Sequence, residues 1–294
     1  MPSEAYEALV AQLFASPMPT DIGEMRAAYR AMGDAFPLPG DVRVTEATLG
    51  GRPCEWISVA DAPRHTILLV HGGGYCIGGL DSHRHLSGEI ARQTGGRVAA
   101  LDYRLAPEHP YPAGLADCKQ AYAELLDQAG GEKIALVGDS AGAGLAMALL
   151  AELLREEQPL PASVYCMSPW ADLANTATSR TLKRAVDPLA QIDQLAKMAG
   201  LYAGDIALDD PRVSPAFADF RGAPPVFIQA GTAEVLMDDA LNLAKALADA
   251  DVDVDLELRA GMVHVWPWFF PAIPEGAAAL SHACRFLSRH FDGN

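Results

Sequence analysis

The sequence has 294 residues, half of them apolar and a fifth charged, enough chain to bury the core of one α/β domain with a small accessory part. A net charge of −16 argues against a nucleic-acid partner, because phosphate binding needs clustered Lys and Arg, and it works against stable association with an anionic membrane. The 26 glycines and 21 prolines are dispersed, without a repeat or a low-complexity tract.

The chain opens MPSEAYEALVAQLF, with acidic residues and no basic n-region, so it does not read as a signal peptide. Two helices are predicted near 3–14 and 21–36, with apolar residues at three- and four-residue intervals and Pro37 and Pro39 after the second. A strand pair follows over 42–50 and 54–59, joined by a turn at 50–53. Short apolar runs at 66–70, 97–101, 133–138, 163–167, 225–230 and 254–258 then alternate with helical patterns around 83–94, 112–129, 141–157, 236–250 and 276–290. This alternation predicts the α/β class: a mainly parallel sheet covered by helices on both faces, with the VDVDLEL segment near an edge. Residues 180–215 look helical but lack a strand partner, so they are expected to join 1–40 in a small helical cap. The catalytic domain is then 41–179 and 216–294. No uncharged apolar run reaches the roughly 18 residues of a spanning helix. Five widely spaced cysteines without a CxxC pair suggest free buried thiols in a reducing cytoplasm, with neither a disulfide framework nor a zinc site.

Apolar IALV, the turn GDSAG and the helical AGLAMALLAELL form the strand–turn–helix setting of a nucleophile elbow around Ser140. Gly138 and Gly142 fit because a strained turn leaves no room for a Cβ beside the nucleophile. A second signal, HGGGYCIGG at 71–79, follows the 66–70 strand. Its consecutive glycines leave backbone N–H groups free to bind the oxyanion of acyl transfer. Gly72 and Gly73 are the expected loop donors, Ala141 supplies the N–H after the nucleophile, and His71, Gly74 and Asp139 are expected to support them. A phosphate-binding loop fits poorly: no Walker lysine follows, and G-x-G-x-x-G is not formed.

A serine nucleophile needs an imidazole base and an acid to orient it, in the chain order Ser, Asp/Glu, His. His264 lies in the loop directly after the 254–258 strand, whereas His282 and His290 fall on the last helix. Three carboxylates follow the 225–230 strand. Glu234 is in the loop, while Asp238 and Asp239 begin the next helix, where acidic residues have a standing structural explanation. Glu234 is therefore the expected acid and Asp238 the alternative. A metal enzyme drawing on His83, His85 and His71 or His109 has no ligand motif behind it, since His83 and His85 are expected to begin a surface helix. No metal or cofactor is expected.

HGGG, DYRLAPEHPYPA at 102–113, GDSAG, DPRVSP at 210–215, GTAEVLMDDA and the His264 loop together resemble the hormone-sensitive-lipase-like branch of the α/β-hydrolases, the bacterial family IV carboxylesterases. The likeness runs from about residue 64 to the C-terminus, with the motifs in the family's order. It implies the α/β-hydrolase fold and a triad acid in a D/E-x-L-x-D segment, which Glu234 to Asp238 match with Glu for the commoner Asp. It also implies a cap of N-terminal helices plus an insertion, and a role for Asp102, Tyr103 and Arg104 in supporting the oxyanion loop. The expected activity is hydrolysis of short- to medium-chain carboxylic esters through an acyl-enzyme on Ser140. The alternatives are a lactone, amide or carbamate hydrolase on the same triad, or a relative that binds without hydrolysing. The expected partner is a small ester, and the sequence allows a homodimer. Tyr75, Trp170, Trp266, Trp268, Phe269 and Phe270 are candidates to line the pocket or to pack the cap.

Overall fold

A computed structural model describes residues 2–59 and 65–292. The strands are β1 (Arg43–Leu49), β2 (Arg52–Ser58), β3 (Thr66–Val70), β4 (Arg97–Leu101), β5 (Ile134–Asp139), β6 (Val164–Met167), β7 (Val226–Gly231) and β8 (Val254–Arg259). The helices are α1 (Glu4–Ala15), α2 (Ile22–Asp34), α3 (Leu80–Thr94), α4 (Ala113–Ala129), α5 (Ala141–Arg155), α6 (Ser179–Leu182), α7 (Ile192–Ala203), α8 (Met237–Asp249) and α9 (Pro274–Asp292).

The strands form one sheet in the order β1-β2-β4-β3-β5-β6-β7-β8. Only β1 with β2 and β2 with β4 run antiparallel; every other pairing is parallel. Parallel strands need crossover helices, and these cover both faces. The pleat decides which face each side chain meets. Leu68 and Val70 of β3 pack with Leu115 and Tyr122 of α4, Leu145 and Leu149 of α5 and Leu243 of α8. Ile67 and Leu69 pack on the other face with Leu86 and Ile90 of α3 and with Leu280 and Leu287 of α9. Strands apolar at every position are therefore buried at every position, as in β3 and the apolar part of β5. β8, with acidic residues between its apolar ones, lies at the sheet edge as expected.

One helix differs from its sequence expectation. α3 begins at Leu80, and His83 and His85 are buried rather than on the surface. Tertiary partners explain this, since His83 meets Ser82 and Asp139 while His85 reaches the Trp268 carbonyl at 3.0 Å. Buried polar rings are tolerated when they are hydrogen-bonded.

The elements of 1–40 and 180–215 sit differently from one another. α1 docks on the body: Tyr6 donates to the Gly261 carbonyl at 2.6 Å and Ser3 Oγ to Glu275 at 2.9 Å. The stretch leading into α2 is tied to α7, with Gln194 and Lys197 donating to the Pro19 and Thr20 carbonyls. All five cysteines are free and buried. Among the described residues no helix is long and apolar enough to cross a membrane.

Candidate active site

Four loops at the carboxyl ends of β3, β5, β7 and β8 converge on one point, the edge where open α/β sheets hold their ligands. At the centre, β5 ends at Asp139 and α5 starts at Ala141, so Ser140 takes the whole change of direction, with φ 51° and ψ −120°. Such a conformation is strained for a non-glycine residue and persists only when its surroundings hold it. Here Ser140 N–H donates to Met167 O at 2.8 Å, and its carbonyl accepts from Trp170 N at 2.9 Å and Gly144 N at 3.1 Å.

The flanking glycines are required by contact. A Cβ on Gly138 would stand 2.5 Å from the Gly142 carbonyl carbon, and one on Gly142 would stand 2.1 Å from Val70 O. Gly142→Ala is thus expected to destabilise the protein by about 3 kcal/mol or more, or to leave it insoluble. Gly200→Ala on α7 meets nothing within 4 Å and should be neutral or stabilising by about 0.5–1 kcal/mol. Urea unfolding of the two variants checks this, and equal midpoints would contradict it.

His264 follows β8 and is held by its neighbour: Val265 has φ 47° and its N–H donates to Ser168 Oγ at 3.0 Å. The imidazole Nε2 is 3.0 Å from Ser140 Oγ and Nδ1 is 2.6 Å from Glu234 Oε2. Glu234 is fully buried, and its other oxygen accepts from Gly231 N at 2.7 Å and Ser168 Oγ at 3.1 Å. Burial pushes the His264 pKa down, but the Glu234 carboxylate, with Asp187 and Asp139, more than reverses this and leaves it raised.

The other two carboxylates, in the first turn of α8, tie down the stretch that leads into the 180–215 insert. Asp238 accepts from Ser179 N at 2.8 Å. Buried Asp239 accepts from the N–H groups of Ala171 and Asp172 and pairs with Arg180 at 3.0 Å. Sequence reasoning missed two residues here. Ser168 bridges the Glu234 and His264 loops, and Asp187 accepts from Val235 N at 2.9 Å, binding the insert to the residue after Glu234. Neither carries a spacing signal.

The oxyanion loop departs from expectation at one residue. The Gly72 N–H is consumed by Asp139 Oδ1 at 2.8 Å, so Gly72 is not available as a donor to substrate. Gly73 and Gly74, with φ 115° and 59°, instead line the pocket beside Ser140, and among the described residues their N–H groups have no partner. The Ala141 N–H opens α5, where a helix has no upstream acceptor to offer. His71 donates from Nδ1 to Gly72 O at 2.8 Å and lies against Tyr103, whose hydroxyl donates to His71 O at 2.8 Å. Burial and the nearby His83 push His71 down to about 3, which keeps it neutral. Of the 102–104 motif only Tyr103 reaches this loop. Asp102 accepts from Arg52 through its carbonyl and faces a separate polar cleft, and Arg104 is paired with Asp117 at 2.6 Å.

The pocket over Ser140 is a narrow cavity of about 90 Å³. Its walls are Met18, Met25, Tyr29 and Met32 from α2 and the stretch before it, Leu189, Leu195 and Met198 from the insert, and Trp268 and Phe269 beyond His264. The remaining aromatic candidates are elsewhere: Tyr75 stacks on Tyr202, Trp170 and Trp266 are fully buried, and Phe270 lies against His85. Among the described residues no three His, Cys, Asp or Glu side chains gather as a metal site.

Comparison with known proteins agrees with this fold. A family model described as alpha/beta hydrolase fold matches residues 67–267. The chain is 41% identical over 261 residues to an acetyl-hydrolase of Streptomyces hygroscopicus, covering 88% of this chain and 86% of that one. It is 36% identical over 255 residues to an esterase of Acinetobacter venetianus, covering 86% and 84%. A crystal structure of an esterase from the bacterial hormone-sensitive lipase family superposes with a TM-score of 0.95 at 38% identity, covering 99% of both chains.

Proposed function

This chain belongs to the alpha/beta-hydrolase family, in its bacterial hormone-sensitive-lipase-like branch, and from that premise we propose that it hydrolyses short- to medium-chain carboxylic esters through an acyl-enzyme on Ser140. It is a carboxylic ester hydrolase, and the finer reading rests on one observation above all. Ser140 Oγ, His264 and Glu234 form an unbroken hydrogen-bonded chain of 3.0 and 2.6 Å that opens into an apolar cavity.

In this mechanism His264 Nε2 takes the Ser140 proton as Oγ attacks the ester carbonyl, forming the O–C bond of a tetrahedral intermediate. Its oxyanion is met by the N–H groups of Gly73, Gly74 and Ala141, donors fixed before the reaction that need no reorganisation during it. The imidazolium, stabilised by Glu234, returns the proton to the departing alkoxide as the ester C–O bond breaks. A water deprotonated by His264 then attacks the acyl-enzyme, and collapse of the second intermediate releases the acid and restores Ser140.

Within 1–40 and 180–215, α2 with the stretch before it and the insert act as a cap in this reading, since they supply the far wall of the cavity, while α1 stays on the body. The cavity walls are almost entirely apolar, and four methionines among them can yield to a longer chain. The name of the acetyl-hydrolase relative supports an acyl side suited to small groups. On p-nitrophenyl esters, kcat/KM is expected to peak at acyl chains of about two to eight carbons, as each methylene that fits gains about 0.8 kcal/mol. A rate that rises through palmitoyl esters would overturn the chain-length reading. Inert simple esters beside a rapidly opened lactone or amide would move the protein to that substrate class.

A further inference from the structure

Behind the oxyanion loop lies a buried polar cluster that the reaction does not consume. Asp139 immediately precedes the nucleophile, and its Oδ1 takes the Gly72 N–H at 2.8 Å. His83, in the first turn of α3, brings Nε2 to 3.0 Å from the same oxygen. Both side chains are at most 2% exposed. The other ring nitrogen, Nδ1, is 2.8 Å from Ser82 Oγ, which is itself bonded to the Gly79 carbonyl at 2.9 Å. Tyr29 and Trp268 meet the His83 ring edge-on, so it cannot swing away.

The consequence follows from the planarity of the peptide bond. The carbonyl of Gly72 and the N–H of Gly73 belong to one rigid unit and point in opposite directions. His71 Nδ1 holds that carbonyl from behind at 2.8 Å, and Asp139 holds the Gly72 N–H one peptide earlier. Fixing both leaves the Gly73 N–H no direction but the pocket. We infer that His83 is a positioning residue of this esterase, orienting the Asp139 carboxylate so that the Gly72 backbone aims the Gly73 N–H at the oxygen of the carbonyl under attack.

A carboxylate buried with a single backbone donor is poorly compensated and tends to turn or to take up a proton. Burial alone would push Asp139 up, and His83 together with the Gly72 N–H holds it below the usual carboxylate range instead. Ser82 anchors the far nitrogen of the ring, and Nε2 can hold the Asp139 carboxylate only as an N–H donor. The loop donors matter most when the oxyanion has formed, so loss of their alignment should appear in kcat and not in KM.

The inference rests on the Ser140 reading above, and the experiment separates the two. His83→Phe keeps a ring for packing but removes both nitrogens, while His83→Gln keeps a donor. Against p-nitrophenyl butyrate, His83→Phe is expected to lose about 10- to 100-fold in kcat with KM within about twofold, and His83→Gln to recover part of the loss. Affinity for butylboronic acid, which forms a tetrahedral adduct on the serine, should fall in step with kcat. Unchanged kcat and boronate affinity in folded variants, or an effect confined to KM, would overturn the role of His83 alone. An inactive wild type, or an active Ser140→Ala run beside it, would instead overturn the esterase reading. Should neither variant fold, nitrogen NMR of the histidines in the wild-type protein decides: a protonated His83 Nε2 is expected, and an unprotonated one overturns the inference.

Discussion

Ser140→Ala is expected to lower kcat on simple esters by about 10⁵- to 10⁶-fold while leaving the fold intact. The two halves of this expectation have separate physical grounds. The hydroxyl is the atom that bonds to the acyl carbon in the proposed mechanism, and among the described residues no other nucleophile is placed within hydrogen-bond reach of His264 Nε2. Stability, by contrast, depends on the backbone of the elbow. Ser140 N–H to Met167 O, and Trp170 N–H and Gly144 N–H to the Ser140 carbonyl, are all main-chain bonds that alanine retains. Alanine also keeps the Cβ, so the φ of 51° is no harder to hold than before. Only the Oγ to His264 bond disappears, and a melting temperature within a few degrees of wild type is expected, on either side. Phenylmethylsulfonyl fluoride should label the wild type at Ser140, read by peptide mass spectrometry. Labelling at another serine, or substantial turnover by the alanine variant, would overturn the assignment of the nucleophile.

Much of this site was legible in the sequence because its parts sit at fixed offsets from strands. β3, β5 and β7 are buried at every position and mostly apolar since both their faces are covered, and each announces the loop that follows it. His264 and Glu234 could be found this way, one loop beyond β8 and β7. The donors of the oxyanion loop could not. Gly72, Gly73 and Gly74 are chemically identical in sequence, and what separates them is the direction of each N–H. That direction is set by Asp139, 67 residues away along the chain. The same limit hid His83 and His85. Histidines in the first turns of a helix with a charged neighbour, Arg84, read as a solvated face, and only tertiary partners reveal that both rings point inward. Asp102 erred in the opposite sense: it lies beside Tyr103 in the sequence, but consecutive residues leave an extended chain on opposite sides, and only Tyr103 turns toward His71.

The contrast between Glu234→Gln and Asp238→Asn tests the acid assignment with nearly isosteric changes. Glu234 Oε1 accepts from both Gly231 N–H and Ser168 Oγ, so a glutamine here must keep its carbonyl oxygen on that side. Its amide NH₂ then faces His264 Nδ1, where a donor is already present. The conflict is relieved if the imidazole moves its proton to Nε2, but that nitrogen then donates toward Ser140 and cannot act as its base. A loss of about 10³- to 10⁴-fold in kcat is expected for Glu234→Gln. Asp238 accepts from Ser179 N–H, a bond that the asparagine carbonyl can make equally well, so Asp238→Asn should stay within about tenfold of wild type. The pH profile adds an independent sign. Turnover needs neutral His264, and in the wild type the Glu234 carboxylate is the chief influence holding the imidazole above its ordinary value. Removing that charge lets burial dominate, the pKa falls, and the acid limb of the residual kcat/KM should move to lower pH. A larger loss in Asp238→Asn, or an acid limb that moves upward in Glu234→Gln, would hand the orienting role to another carboxylate.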